Sequence, residues 1–497
     1  MTVHAVKPGS DLEKMAYFDE DSATLYVSKT HAFDPNVRSY TSLLRNDGIN
    51  LNIQNVAMEV IQTLRTNQVK ETRNDVIEAS EMQRTASDLF KQAFKRRASD
   101  IHIRVSSKGD TRILFRIHND LEQIAEHPYS WGKLLCSAIY TAMSDISAAT
   151  YEENARQDGR ISAKKNLVPG LDGIRIATTP QVDGTVMVLR LLYNDADKST
   201  DICSLGYDQA QKEEFALMKR RPTGINIIAG PTGSGKSTTL QRTLLSIHQE
   251  CRGTKHIITV EDPPEYPMPG IVQTPVADAT TEEERSAAFQ AAIKATMRLD
   301  PNVIMIGEMR DTPSVRLAVQ AAMTGHQVWS TVHANSAFAV IDRMVDLGIP
   351  LNMMADPSIV TGLICQRLLK VLCPHCKKPF AAHADRYTAG DRDRIMSTIN
   401  VETAHVIGDG CNHCQNNGIA GRTVVAEIVV PDQVLMAHVR KGDRDKAIAY
   451  WRESGGRTML DLAISKIDAG LVDPFQAEDE VGPLNFVLQD AAAGGVP

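Results

Sequence analysis

The residues with the clearest chemistry lie at 230–238, Gly-Pro-Thr-Gly-Ser-Gly-Lys-Ser-Thr, and fill every fixed position of the G-x-x-x-x-G-K-[ST] pattern. Gly230, Gly233 and Gly235 let the backbone wrap closely and turn its N–H groups inward, with Pro231, Thr232, Ser234 and Thr238 completing the loop. Those N–H groups and the N-terminus of a following helix make an anion site. Lys236 can reach β- and γ-phosphates, and the Ser237 hydroxyl can ligate Mg²⁺. A glycine-rich turn without a ligand is the plainer alternative. Against it stand the short apolar run through Ile227 and Ile228 before the loop, and Leu240, Leu244 and Leu245 on one face of a helix predicted over 237–250. The chain is therefore read as binding a nucleoside triphosphate.

Hydrolysis needs a group that orients water, and the candidates are carboxylates at strand ends, where open parallel sheets place their ligands. A strand at 303–306 delivers Glu308, placed to polarise an attacking water alone or beside Mg²⁺. Gly307 stands where the more familiar pattern has a metal-binding aspartate. A strand at 256–260 delivers Glu261, Asp262 and, past two prolines, Glu265, which could hold metal-bound water or act as a second acid. Any single acid there could equally be a helix cap; two clusters beside a phosphate loop argue for more. His326 and His333 bracket a strand at 328–332 and are candidates to sense the γ-phosphate, against the commoner role of a structural histidine.

Of eight cysteines, four form two C-x-x-C pairs, Cys373/Cys376 and Cys411/Cys414. Four thiolates so arranged suit a closed, tetrahedral, structural zinc site, with His375 and His413 inside the knuckles but not ligating. The long gap between the pairs predicts a helical insertion over 381–399.

The elements that must position these groups follow from periodicity. A helix is expected at 88–97. Ile101 and Ile103 alternate with His102 and Arg104 in a half-buried strand at 98–105, and 111–117 is a second strand. Residues 131–143 are helical by period; Ile161, 173–178 and 185–192 are further strands, with Gly184 at a turn. A polar stretch at 193–200 reads as a hinge. Strands and helices then alternate in the βαβ manner. Thr281 should cap a helix opening on Glu282, Glu283 and Glu284. Thr312 and Pro313 should open another that Gly325 stops, and Ser336 a third. This divides the chain into an N-terminal module (1–71), an α+β domain (72–195), a linker (196–203), an α/β P-loop core (204–365), the tetracysteine region (366–430) and a helical C-terminal region (431–497) whose tail, 491–497, reads as disordered. Near the N-terminus 25–27 could be a strand and 50–64 mixed strand and helix. The 497 residues carry 42% hydrophobic and 23% charged side chains and a net charge of −7, ordinary for a globular protein and without a field that recruits nucleic acid. Lys95, Arg96 and Arg97 are read as a solvated helix end. No apolar run approaches a membrane span, and the first fifteen residues lack a charged-then-apolar signal pattern.

Over about 99–478 the chain resembles the assembly ATPases of type II secretion systems and type IV pili. ASDIHI (98–103) and QDGRIS (157–162) are similar to the family's N-terminal ATPase-associated domain, and GPTGSGKSTTL to its Walker A. VEDPPEY (260–266) resembles its aspartate box, IGEMRD (306–311) its Walker B with the glycine normal there, and GHQVWSTVHAN (325–335) its histidine box. QRLLKVLCPHC (366–376) and GCNHCQNNGIAGRTVVAE (410–427) resemble the tetracysteine region of extension members; retraction members generally lack it. Where the family usually has Thr-Asn-Asp-Ala after the second histidine, this chain has Ala334, Asn335, Ser336 and Ala337. The resemblance implies a RecA-like ATPase domain behind a PAS-like N-terminal domain, with ATP, Mg²⁺ and Zn²⁺ as cofactors. It implies a homo-hexamer with active sites between subunits, in the cytoplasm at the inner-membrane face, held there by a platform protein and other pilus or secretion machinery. It also implies that Arg175 and Arg190 reach nucleotide from the N-terminal domain. The expected function is extension of a pilus or pseudopilus. The alternatives are a retraction or DNA-transfer ATPase and a nucleotide-binding scaffold with little turnover. A helicase-like motor is disfavoured by the acidic charge and 5% aromatics.

Overall fold

A computed structural model of the chain describes residue 12 and residues 15–19, 22–46, 49–147, 150–194, 199–276 and 281–485. The tail expected at 491–497 lies outside these residues, as do 195–198 of the expected hinge.

The N-terminal module has its own small core. Strands β1 (Ala16–Asp19) and β2 (Thr24–Ser28) pair antiparallel. Helix α1 (Pro35–Asn46) follows, and β3 (Asn52–Val56) adds parallel to β2. Val37, Tyr40 and Leu44 recur at helical spacing and pack against Leu25 and Val27. Helix α2 (Met58–Lys95) then runs 38 residues, through residue 71, where a domain edge was expected, and starts well before residue 88. The reason is local: positions 58–95 contain no glycine or proline to stop it. At its end Arg96 pairs with Glu122 at 2.5 Å, and Arg97 lies over the Phe94 and Tyr193 rings, so this basic run is only partly solvated.

Seven antiparallel strands form the next layer: β4 (Asp100–Ser106), β5 (Thr111–Ile117), β6 (Asp120–His127), then, after helix α3 (Tyr129–Ser137), β7 (Ile146–Ser147), β8 (Gln157–Ile161), β9 (Leu171–Gln181) and β10 (Gly184–Tyr193). Their order is β6-β5-β4-β10-β9-β8-β7. Strand β6 was not anticipated; at the sheet edge it is mostly polar and buries no residue completely. One face, with Ile101, Ile103, Phe115 and Leu189, packs on Phe90 and Ala93 of α2 and Leu135 of α3. Across the other face the register lines up Arg116, Asp100, Arg190, Arg175 and Arg160 in one row.

The second half alternates as expected, apart from two elements: α4 (Gln209–Arg220), β11 (Gly224–Ala229), α5 (Lys236–Glu250), β12 (Ile257–Glu261), β13 (Val272–Pro275), α6 (Glu282–Thr296), β14 (Val303–Ile306), α7 (Thr312–Met323), β15 (Gln327–Val332), α8 (Ala339–Asp346), α9 (Leu351–Met354) and β16 (Val360–Leu372). The strand β13 and the short helix α9 were not anticipated. Thr281 and Glu284 form the reciprocal cap of α6. The cap of α7 is Asp311 rather than Thr312: its Oδ1 accepts the Ser314 N–H at 2.8 Å, a charge-assisted bond at the positive helix end.

From the end of β16 a small lobe projects, with β17 (Lys378–Pro379), the short helix α10 (Ala389–Met396) and β18 (His405–Val406), before β19 (Ile419–Val429) returns beside β16. The large sheet has the order β13-β12-β14-β15-β11-β16-β19, parallel except for the β16–β19 hairpin. Strands β11, β12, β14 and β15 are buried throughout because helices cover both faces. Helices α11 (Gln433–Arg440), α12 (Arg444–Glu453), α13 (Met459–Asp468) and α14 (Pro474–Val481) close the chain. Asp473 caps α14 and also accepts the Ile407 N–H at 2.8 Å, so the projecting lobe is tied to the last helix.

Candidate functional site

Strand β11 ends in the phosphate loop, and backbone geometry explains its glycines. Gly230 has φ +147°, and a Cβ there would meet the Gln366 carbonyl at 2.4 Å. Gly235, at φ +85°, opens α5 with no side-chain cap, which leaves the first N–H groups of the helix for an anion. The Lys236 ammonium donates to the Gly230 and Pro231 carbonyls at 2.8 and 2.9 Å, so it already lies along the loop. Burial lowers its pKa, while the Glu308 carboxylate acts in the opposite sense. Two residues that the motif does not contain support the loop. The Gln366 amide donates to the Ser234 carbonyl at 2.7 Å, and the buried Tyr207 hydroxyl donates to Gln366 Oε1 at 2.7 Å.

Because β12, β14, β15 and β11 run parallel, their carboxyl ends share one edge. Glu308 leaves β14 there. Its Oε1 lies 2.8 Å from His333 Nε2, and its Oε2 accepts from Arg310 Nε at 2.7 Å. The side chains of Glu308 and His333 are 23% and 51% exposed, so substrate and water can reach them. Gly307 sits tight against β12: a Cβ would lie 3.3 Å from the Val260 carbonyl, which leaves little room for a metal-binding aspartate.

The β12 acids divide by burial. Glu261 is buried and accepts from Thr259 Oγ1 at 2.6 Å and Gln273 Nε2 at 3.0 Å; burial raises its pKa despite those bonds. Asp262 faces Arg285 at 3.7 Å. Glu265 acts electrostatically on both Arg175 and Arg190, so the arginine row of the N-terminal sheet faces this acid cluster across the domain boundary. Arg190 is oriented by Asp100, which takes its Nε–H at 3.0 Å and the Ser99 hydroxyl at 2.8 Å.

His326 does not join this group. It precedes β15, and its Nδ1 lies 3.0 Å from the Ala321 carbonyl at the end of α7. A strand lifts its two ends roughly 20 Å apart over six residues, so only His333 stands at the carboxyl edge beside Glu308. The two histidines expected to sense the γ-phosphate together therefore stand at opposite ends of β15. Sequence reasoning also missed the β5–β6 turn. His118 and Asn119, at φ +49° and +80°, bring it against Pro231, Thr232 and Gly233, and Asp120 pairs with Lys370 of β16 at 2.5 Å. Arg367 and Arg422 line the same cleft. Nothing in the sequence marks a hairpin and a loop more than a hundred residues apart as neighbours.

The sulfurs of Cys373, Cys376, Cys411 and Cys414 all lie within 4.8 Å of one another. The Cys373–Cys411, Cys376–Cys414 and Cys411–Cys414 separations are each 3.8 Å. Four thiolates at Zn–S distances near 2.3 Å make a tetrahedron of edge about 3.8 Å, so the donor set fits zinc. Burial works against ionisation of Cys414, while the Cys411 and Gly418 N–H groups, each 3.2 Å from its sulfur, and the neighbouring Cys411 and Cys376 thiols favour its thiolate. The His375 and His413 rings lie 4.2 Å apart, tilted by 52°, and are not among the clustered donors.

A family model described as type II/IV secretion system protein matches residues 75–481. The chain is 34% identical to type II secretion system protein E of Pseudomonas aeruginosa over 390 residues, covering 78% of this chain and 73% of that protein. It is 33% identical to the type IV pilus assembly ATPase PilB of Myxococcus xanthus, over 80% and 70% of the two chains. Among solved structures, the pilus retraction motor PilT with bound ADP aligns at 25% identity and a TM-score of 0.53, over 79% of this chain and 96% of that one.

Proposed function

The chain belongs to the type II/IV secretion system protein family, and from that premise we propose that it is a ring-forming motor that hydrolyses ATP to extend a type IV pilus or a secretion pseudopilus. The ATPase reading is common to its relatives, among them the pilus assembly ATPase of Myxococcus xanthus and the secretion ATPase of Vibrio cholerae. The observation that carries the mechanism is Glu308, held by His333 and Arg310 at the end of β14, with β15 alone lying between that strand and the one that feeds the phosphate loop.

The loop N–H groups and Lys236 bind the phosphates, and Ser237 would hold Mg²⁺, which supplies charge neutralisation at the β- and γ-oxygens. Glu308 orients and polarises the attacking water, and His333 fixes the carboxylate that does so. Glu265 and Asp262 face the arginines of the N-terminal domain and would hold metal-bound water, while the enclosed Glu261 steadies the strand end. Arg175 and Arg190 approach from the PAS-like domain and stabilise charge developing on the γ-phosphate. Nucleotide would draw the two domains together and product would release them; six copies in a ring would make that motion directional. The four cysteines would bind one structural zinc at the tip of the β16–β19 hairpin. They favour extension over retraction, which the PilT likeness keeps as the second reading.

Among the described residues no helix is long and apolar enough to cross a membrane. Attachment to the cytoplasmic face of the inner membrane is accordingly assigned to a platform protein. The test is phosphate release by the purified ring with Mg-ATP, with and without the cytoplasmic part of that platform, together with particle symmetry by electron microscopy. Stimulated turnover by a six-membered ring is expected. A properly assembled protein that never consumes ATP, even with its machinery present, overturns the proposal.

A further inference from the structure

Adjacent residues of a strand face opposite layers, and β16 uses this at the site. Gln366 turns toward the phosphate loop. Its neighbour Cys365 turns the other way, where its Sγ lies 3.6 Å from the Ala334 carbonyl as donor. Across the hairpin Cys365 pairs in register with Glu427 of β19. The Glu427 carboxylate accepts the Ala337 N–H at 3.0 Å, and the backbone N–H of Met459, at the start of α13, acts on it from the other side. One rung of the hairpin therefore holds both ends of the 334–337 segment, the stretch that begins directly after His333. Thr331, two residues before His333, is pinned from the other side: its hydroxyl donates to the Gly307 carbonyl at 2.7 Å, and its carbonyl accepts the Met309 N–H at 2.9 Å.

We propose that Glu427 is a positioning residue for hydrolysis, clamping the 334–337 segment so that His333 is set against Glu308. The inference rests on the assignment of Glu308 and His333 made above. A carboxylate serves this role better than a neutral group, since each N–H it accepts forms a charge-assisted bond. Burial raises the Glu427 pKa, the cost of keeping a carboxylate here, and the two N–H groups and Arg367 act against that cost. The same contacts could be explained as fastening between β19 and α13 alone, and the two explanations differ in what they predict for catalysis.

The experiment compares E427A, E427Q, H333A and the double variant E427A/H333A in the full chain. It reads kcat and KM for ATP, affinity for a fluorescent ADP analogue, and Tm. E427A should lower kcat about tenfold while KM and analogue affinity stay within about threefold, because the phosphate loop is held independently through Gln366. E427Q, which keeps one carbonyl oxygen for the Ala337 N–H, should fall between E427A and the parent. The double variant should be no slower than H333A, because Glu427 acts through His333. If E427A does not fold, E427Q and its double with H333A carry the same comparison. Parental kcat in a folded Glu427 variant overturns the proposal, and so does an additive loss in the double variant while H333A itself is impaired. If H333A turns over like the parent, the assignment of His333 fails, and this inference fails with it.

Discussion

Replacing Glu308 by glutamine tests the site with the smallest change of shape. Glu308 now accepts from His333 on one oxygen and from Arg310 on the other. Glutamine keeps one acceptor and presents an amide N–H₂ to the second donor, so one contact is lost along with the charge. A positioned base contributes about 10²–10⁴ in rate, so the barrier should rise by about 3–5 kcal/mol. Binding should move differently. Glu308 acts on Lys236 electrostatically, and removing that negative charge takes a repulsive neighbour away from the phosphates. Nucleotide affinity should therefore be unchanged or tighter. Glu308 is not in the core, so the fold should lose about 1 kcal/mol or less. The assay is phosphate release at saturating Mg-ATP, paired with titration of a fluorescent nucleotide. E308Q turning over within threefold of the parent would falsify the assignment. Loss of turnover accompanied by loss of nucleotide affinity refutes it equally, because Glu308 would then be a prop for the loop.

Arg190→Ala should cut turnover of the assembled ring at least tenfold by removing charge stabilisation. Asp100 keeps its Ser99 bond and Arg116 at 3.7 Å, so the domain should stay folded; a fully active mutant ring counts against the role. Metal analysis should return about one zinc per chain, and Cys411→Ser should lose it and lower the melting of the C-terminal region; a metal-free parent of equal stability contradicts the site. Burial lifts Glu214 of α4 to about 7, with Arg457 opposing and Asp208 adding to the lift. The folded pKa lies above the unfolded value, so this group's contribution to stability is complete below about pH 4.5 and is lost as pH rises toward 7. Glu214→Gln should abolish that part of the decline, at most about 3 kcal/mol, as read by urea unfolding at pH 5 and pH 8. An unchanged difference between the two pH values excludes the effect.

The parts legible in the sequence are those whose physics is local. Gly230, Gly235, Lys236 and Ser237 mark a phosphate loop because positive φ, inward N–H groups and a helix start are all specified within nine residues. The strand that delivers Glu308 and Thr281 as a helix cap were visible for the same reason, as periodicity and capping read nearest neighbours. The long α2 was underestimated because its polar middle hides the period, although no glycine or proline interrupts it. The cap of α7 was displaced by one residue, since Asp311 and Thr312 are both competent and only the backbone shows which one turns inward.

What the chain order could not tell is which residues meet across it. His326 and His333 look equivalent on paper, and strand direction alone separates them, because a parallel sheet puts only carboxyl ends at the ligand edge. Gln366, Tyr207, Asp120 and Glu427 carry no motif-level reason to be chosen. They matter because the β16–β19 hairpin runs beside the phosphate-loop strand and brings residues 207, 120 and 427 to within bonding distance of it or of its neighbours. By itself the sequence determined that a triphosphate would be held and which acids end the strands beside the loop; the tertiary structure decided how each of those groups is aimed, since aim comes from contacts between segments that only folding brings together.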